Sequence, residues 1–288
     1  MEIRALRVFL AISREGNMTR AADELHVSQP SLSKMVKSLE EELGTKLFVR
    51  RSFGLTLTAD GRLLRERAQD LVAMADRIED EFADLGRLAG GTLHFGLAES
   101  VHIDVLARAI RQLREESPGL RYHVDSGVSA QVLGRLDDGA IDFAVLAHEP
   151  DGAKYESWAF PEPDVWGVVM RDDSPLAGRE RVRVRDLVGY PLFCSAQSWK
   201  LDIPRWAGGL MGELRLEATF GLPYNGAVFV REGLGVLLSF AGLVDTSEGS
   251  GLAFRPLEPR LETRLHLAWR RNRPLSPIAE RFRELCCG

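Results

Sequence analysis

The chain has 288 residues, 45% hydrophobic and 27% charged, with a net charge of −5. This is an ordinary soluble composition for about two domains, and the acidic balance excludes a polybasic protein that grips nucleic acid by bulk field. Three cysteines (Cys194, Cys286, Cys287) make no disulfide framework and fit a reducing compartment, while Arg4 and Arg7 interrupt the short apolar start that a signal peptide would need.

No apolar run nears the length of a membrane span, so a cytoplasmic location is expected. Basic character is local: residues 1–58 hold nine Lys or Arg against seven Asp or Glu, leaving −7 on the rest. Spacing predicts a first helix over 3–14, with Ile3, Leu6, Phe9, Leu10 and Ile12 on its buried side. Two further helices follow, about Thr19–Leu25 and Gln29–Leu43, joined by a tight turn. Ala21, Ala22, Leu25, Val27, Leu32 and Met35 fall where such crossed helices pack, and the small alanines allow close approach. His26 occupies a turn position that calls for positive φ. Ser28 suits an N-cap, with Pro30 in the first turn.

The second of these helices turns Leu32, Val36, Leu39 and Leu43 inward. Gln29, Ser33 and Lys37, with Ser31 and Lys34 beside them, form another face. Gln pairs with adenine, while Ser and Lys hold phosphate or base edges, so this face suits a major groove of double-stranded DNA. An amphipathic pair with a solvated polar face is the plainer alternative. The acids Glu40, Glu41 and Glu42 sit at the far end, leaving the leading end neutral to basic, as a phosphate-facing end should be.

Gly44 reads as a C-cap. Residues 46–57 read as a hairpin wing with Phe53-Gly54 at its tip, Leu47 and Phe48 inward, and Arg50 and Arg51 outward toward backbone or minor groove. Thr58 is the expected N-cap of a helix over 59–88, roughly 45 Å long. Its residues Leu64, Ala68, Leu71, Ala75, Ile78, Phe82, Leu85 and Ala89 step alternately by four and three, a heptad seam. A narrow seam with charged flanks favours a two-helix coiled coil between subunits, and hence a partly palindromic DNA site. A long helix packed on its own domain is the alternative.

The run AADELHVSQPSLSKMVKSLEEELGTKLFVRR, followed by LTADG, closely resembles the N-terminal domain of the LysR-type transcriptional regulators over residues 1–65, and the remainder resembles them at the level of pattern. The resemblance implies a winged helix-turn-helix, an effector-binding C-terminal domain, and a homodimer through the linker helix that assembles further into a homotetramer. On this reading residues 1–58 are an α+β winged helix-turn-helix domain and 59–89 a linker helix. Residues 90–288 are a two-lobed α/β domain like the periplasmic binding proteins, with lobe one over about 90–160 and 265–288 and lobe two over about 161–264. Ser28, Gln29, Pro30, Ser31, Ser33, Lys34, Lys37, Arg50 and Arg51 are the expected DNA contacts.

Gly90-Gly91 is expected to break the linker helix as a hinge. Strands and helices then alternate: strand 92–97, helix 102–116, strand 120–125, helix 129–138 and strand 141–147. Strands 155–160 and 164–170 lead into the second lobe, which follows with strand 190–194, a helix near 197–207, strand 213–219, helix 223–231 and strand 235–240. Strand 264–269 and helix 277–285, capped by Ser276, return to the first. Such alternation argues for parallel sheets with covering helices.

Ligands in this fold sit between lobes, at strand ends and helix starts. Ser100, Val101, Ser129, Ser195, Gln197, Ser198, Tyr224 and Asn225 lie there and form the expected effector set; the resemblance favours Ser100 and Ser129 most. Each serine equally suits simple helix capping. Trp166 and Trp199 are candidates for the cleft or the core, and Lys200 and Arg205 are the cations nearest its mouth, so the effector's charge stays open.

Enzyme motifs are absent. Gly127, Ser129 and Gln131 lack the final glycine of a nucleophile elbow, His148-Glu149 runs into Pro150, and no phosphate loop, dinucleotide fingerprint or Cys-x-x-Cys occurs. No metal or cofactor is expected. One branch of the family senses peroxide through a cysteine pair in the second lobe; Cys194 lacks a neighbouring thiol and reads as inert.

Overall fold

A computed structural model of the chain describes residues 1–51, 54–84 and 90–288, without the side chains at 50, 51, 54, 73, 77 and 80–84. It divides into two units, Met1–Leu88 and Ala89–Gly288.

The first unit runs α1 (Ile3–Glu15), α2 (Met18–Glu24), α3 (Gln29–Leu43), the antiparallel pair β1 (Phe48–Arg51) and β2 (Gly54–Leu57), and α4 (Ala59–Asp84). Local chemistry sets the boundaries. Ser28 Oγ accepts the Ser31 N–H at 3.4 Å, His26 takes φ 52°, and Gly44 closes α3 at φ 69°. Thr58 Oγ1 caps α4 by accepting from Gly61 N at 2.9 Å, and donates to the Lys46 carbonyl at 2.7 Å.

α1 is buried on two sides, not one. Val8, Ala11 and Ile12 pack with Ala21, Ala22, Leu32 and Val36; Leu6 and Phe9 pack with Leu39, Leu47 and Ala68. Each fully buried Leu or Phe adds about 2 kcal/mol of apolar transfer. Ile3 and Leu43, expected inward, are 36% and 41% exposed: they stand at helix ends, beyond the reach of the facing helix.

The heptad seam divides. Leu64 and Ala68, with Val72, join the unit's own core against α1, and Arg7 on α1 pairs with Asp76 and Glu79 of α4. Leu63, Leu71 and Ile78 are 59%, 44% and 48% exposed. The expected seam positions Leu85 and Ala89 lie outside the described residues, as do the side chain of Phe82 and Phe53 of the wing tip.

The second unit runs β3 (Gly90–Leu97), a 3-10 turn (Val101–Ile103), α5 (Asp104–Glu116), β4 (Gly119–Ser126), α6 (Ser129–Asp137), β5 (Phe143–Leu146), β6 (Tyr155–Ala159), β7 (Asp164–Arg171), β8 (Val182–Arg183) and β9 (Pro191–Cys194). Then come α7 (Ala196–Leu201), α8 (Ile203–Ala207), β10 (Arg215–Thr219), α9 (Pro223–Arg231), β11 (Val236–Phe240), β12 (Leu252–Glu258), β13 (Glu262–Thr263), β14 (His266–Arg270) and α10 (Pro277–Cys287).

Two sheets make two lobes. One has the order β4-β3-β5-β14-β6; the other is β10-β9-β11-β7-β12-β8, with β13 on β7. The first core gathers Leu93, Phe95, Phe143, Phe160, Leu267 and Phe282. The second gathers Val168, Met170, Leu192, Ile203, Leu238 and Leu257. The crossing segments run side by side, with Phe160 N donating to Leu265 O at 2.8 Å and Trp166 N to Leu261 O at 3.0 Å.

Three expectations need correction. The sheets are mixed, not parallel: β14 runs antiparallel to β5 and β6, and β7 antiparallel to β11 and β12, because the crossing strands enter each sheet against its direction. Gly90 and Gly91 belong to β3 and do not form a loop hinge; a Cβ on Gly91 would stand 2.8 Å from Ile278, so glycine there admits α10. The helix expected over 197–207 is two helices, since Pro204 brings no amide hydrogen to the second.

Candidate DNA-reading face and inter-lobe cavity

α3 carries the first candidate site. Ser28, Gln29, Pro30, Ser31, Lys34 and Lys37 are exposed and Ser33 is half-buried, above the buried row Leu32, Val36 and Leu39. Lys37 pairs with Glu41 one turn on, at 3.5 Å, which tethers its ammonium along the helix. The side chains of Arg50 and Arg51 lie outside the described residues; their backbones form the end of β1.

One residue of this unit escaped sequence reading. Glu40 is 9% exposed; it accepts from Lys46 Nζ at 2.6 Å and from Leu47 N at 2.9 Å, latching α3 to the wing. Burial raises its pKa, but the Lys46 ammonium and the Leu47 amide outweigh burial and hold the carboxyl below its usual range. A run of three glutamates resembles a solvated end, and only the return of Lys46 marks one of them as buried.

The second candidate site is a cavity of about 100 Å³ between the two lobes. Ser129 from lobe one and Ser195, Gln197 and Ser198 from lobe two line it, with Glu99 and Ser239; Trp166, Phe220, Phe240 and Leu243 supply apolar wall. Gln197 Nε2 donates to Ser129 Oγ at 3.2 Å, a bridge from lobe to lobe. Ser195 Oγ caps α7 by accepting from Ser198 N at 3.0 Å.

The other expected effector residues stand elsewhere. Ser100 is buried outside the lining, donating to Asp164 Oδ2 at 2.7 Å and accepting from His102 N at 2.9 Å. Val101, Tyr224 and Asn225 are exposed and do not line the cavity. Trp199 packs against the lobe-two core. The reading from strand ends leads to the mouth of this cavity but cannot tell which side of a strand end faces it.

Buried acids beside the cavity are a further surprise. Trp166 Nε1 donates to Thr263 Oγ1 at 2.8 Å, and Thr263 Oγ1 to Asp202 Oδ1 at 3.3 Å; His148 Nε2 is 3.7 Å from Asp202 Oδ2. Burial raises the pKa of Asp164, opposed by the Ser100 hydroxyl, and that of Asp202, opposed by His148. Together these residues tie the crossing strands to both lobes. Cys194 is fully buried; burial, with Asp202 nearby, pushes its thiol up to about 12. Among the described residues no group of His, Cys, Asp and Glu is arranged to hold a metal, and no helix is long and apolar enough to cross a membrane.

Comparison with known proteins gives the geometry its context. A profile of the bacterial regulatory helix-turn-helix proteins of the lysR family matches residues 3–62, and one of the LysR substrate binding domain matches 86–287. The hydrogen peroxide-inducible genes activator of Pectobacterium carotovorum subsp. carotovorum is 34% identical over 193 residues, 67% of this chain. The chain thus spans 63% of that relative's length. The RuBisCO operon transcriptional regulator of Allochromatium vinosum is 28% identical, covering 99% of this chain and 95% of its own. The crystal structure of CbnR, a LysR family transcriptional regulator, matches with TM-score 0.76 at 21% identity, over 99% of this chain and 98% of that one. CbnR complexed with its target DNA matches at 0.74 and 20% identity, over 99% of both chains. The winged helix-turn-helix, the long helix and the two-lobed, periplasmic-binding-protein-like unit are therefore those of a known architecture, and the chain belongs to the LysR family of bacterial helix-turn-helix regulators.

Proposed function

We propose that the chain is a DNA-binding transcriptional regulator, not an enzyme, whose hold on promoter DNA is set by a small molecule in the inter-lobe cavity. Residues 1–58 bind DNA, 59–89 link protomers, and 90–288 sense the effector. The observation that carries this reading is the exposed polar face of α3, raised on a fully packed three-helix platform. Gln29, Ser33, Lys34 and Lys37 enter the major groove with Ser28, Pro30 and Ser31 at the leading turn; Arg50 and Arg51 anchor the wing to backbone. The relatives are named as transcriptional regulators, and CbnR is described with its target DNA.

Leu63, Leu71 and Ile78 on α4 meet the same helix of a second protomer, which gives a dimer with two recognition helices. Dimers pair into tetramers through their effector units. Ligand in the cavity shifts the population between two lobe arrangements and so the spacing of the recognition helices. Selection from a randomised duplex pool tests the reading: the full chain is expected to enrich partly palindromic sites with half-sites about one helical turn apart. A pool that stays unenriched overturns it.

The peroxide-inducible activators' name does not carry over to a sensor at Cys194, whose thiol is inert core. Iodoacetamide is expected to label Cys194 only after unfolding. Native labelling at the rate of a free thiol would contradict this.

A further inference from the structure

The cavity's polar inventory names the class of molecule it takes, on the reading that this cavity is the effector site. Four of its polar side chains already have partners inside the protein. Ser129 accepts from Gln197, Ser195 accepts from the Ser198 amide, and Ser198 bonds Asp202. Two remain. Ser239 is 4% exposed, lines the cavity, and its hydroxyl has no hydrogen-bond partner among the described residues. A buried hydroxyl without a partner costs about 1–3 kcal/mol, so a bound group that satisfies it gains affinity. Glu99, half-buried, lines the same space with neither ion pair nor hydrogen bond among the described residues, and burial alone raises its pKa.

Among the described residues no lysine, arginine or histidine lines the cavity. The first turns of α6, α7 and α9 line the cavity and bring positive partial charge, up to about half a unit per helix, which favours an anion. The full charge of an ionised Glu99, without a counter-ion, opposes them, and a carboxylate ligand would be placed against a like charge. An ammonium removes the penalty on Glu99 instead. Trp166, Phe220 and Phe240 supply apolar wall to its body.

We propose that the effector is a small organic cation: an ammonium paired with Glu99, hydrogen-bonded by Ser239, on an apolar body of at most one ring. The volume sets an upper bound: at about 100 Å³ the cavity is smaller than the roughly 150 Å³ that hold benzene, so the body is one ring at most.

Matched probes test it on the full chain: benzylamine, benzyl alcohol and benzoate, with n-butylamine, n-butanol and butyrate as a smaller set, titrated by calorimetry and thermal shift. The amine of at least one set is expected to bind roughly tenfold tighter than its alcohol, the increment of one charge-assisted hydrogen bond, and the carboxylates weakest. The isosteric Glu99→Gln should abolish that tenfold margin, while Ser239→Ala weakens amine and alcohol alike. A carboxylate binding more tightly than its amine overturns the proposal. So does an amine margin that survives Glu99→Gln, an affinity for both amine and alcohol untouched by Ser239→Ala, or no amine binding up to 10 mM. Failure of the regulator reading shows itself separately, as wild-type protein that binds no duplex, and leaves the cavity's charge preference to be read from the same titrations.

Discussion

A Gly61→Ala variant is expected to lose the folded N-terminal unit at temperatures where the second unit stays intact. A Cβ at Gly61 would stand 2.2 Å from the Leu47 carbonyl oxygen and 3.0 Å from Leu57 Cδ2. That carbonyl has no room to retreat. It accepts from Thr58 N at 3.0 Å, and the neighbouring Leu47 amide is held by Glu40 at 2.9 Å. The first turn of α4 and the root of the wing would have to separate, at a cost of about 3 kcal/mol. For a unit of this size that is a fall of roughly 15 °C in its melting temperature, read by calorimetry as one of two transitions. Gly134→Ala serves as the opposite control: nothing lies within 4 Å of its added methyl, in the middle of α6, and the helix gains roughly 0.5–1 kcal/mol. Equal melting of Gly61→Ala and wild type would show that α4 does not seat on the wing as described.

Leu71→Glu with Ile78→Glu is expected to leave each unit folded and to abolish the dimer. Both side chains are nearly half exposed in the single chain, one heptad apart on α4, so the charges cost little until two helices meet. At the seam, glutamates would face glutamates in place of apolar knobs. Sedimentation at micromolar concentration should give the monomer mass. Affinity for a two-half-site duplex should fall about 100-fold or more, because the second recognition helix no longer binds as a tethered partner. Leu64→Glu is the contrasting change: Leu64 belongs to the unit's own core, so it should unfold rather than dissociate. A double variant that keeps the wild-type mass would place the dimer contact elsewhere.

What could be read from the sequence was whatever local chemistry decides. His26 at positive φ, Gly44 at the end of α3, and the Ser28 and Thr58 caps are fixed by residues within a few positions of one another. Signals that depend on what arrives from far along the chain were not legible. The 3-4 spacing of α4 names an apolar stripe but not its occupant; α1 takes Leu64 and Ala68 and leaves Leu71 and Ile78. β12 went unseen because Arg255 and Pro256 interrupt its apolar run, yet Pro256 pairs opposite Gly167, where glycine admits the Phe254 ring. Asp164 and Asp202, each 2% exposed or less, were missed because buried acids are rare unless paired, and their partners Ser100, His148 and Thr263 lie 54 or more positions away. At the cavity the helix starts were found from serine and proline chemistry. Which residues face inward was not, and that is why Glu99 and Ser239 emerge only from the folded chain.

The central claim is that the Gln29–Lys37 face of α3 reads duplex DNA in pairs. Its most direct test is the salt dependence of affinity for a selected duplex, wild type against Ser33→Ala with Lys34→Ala. Wild type should lose affinity steeply as salt rises. The variant should bind at least tenfold more weakly, with a log-log slope shallower by about two, one released counter-ion for each Lys34 of the dimer. Equal affinity and equal slope would contradict the account.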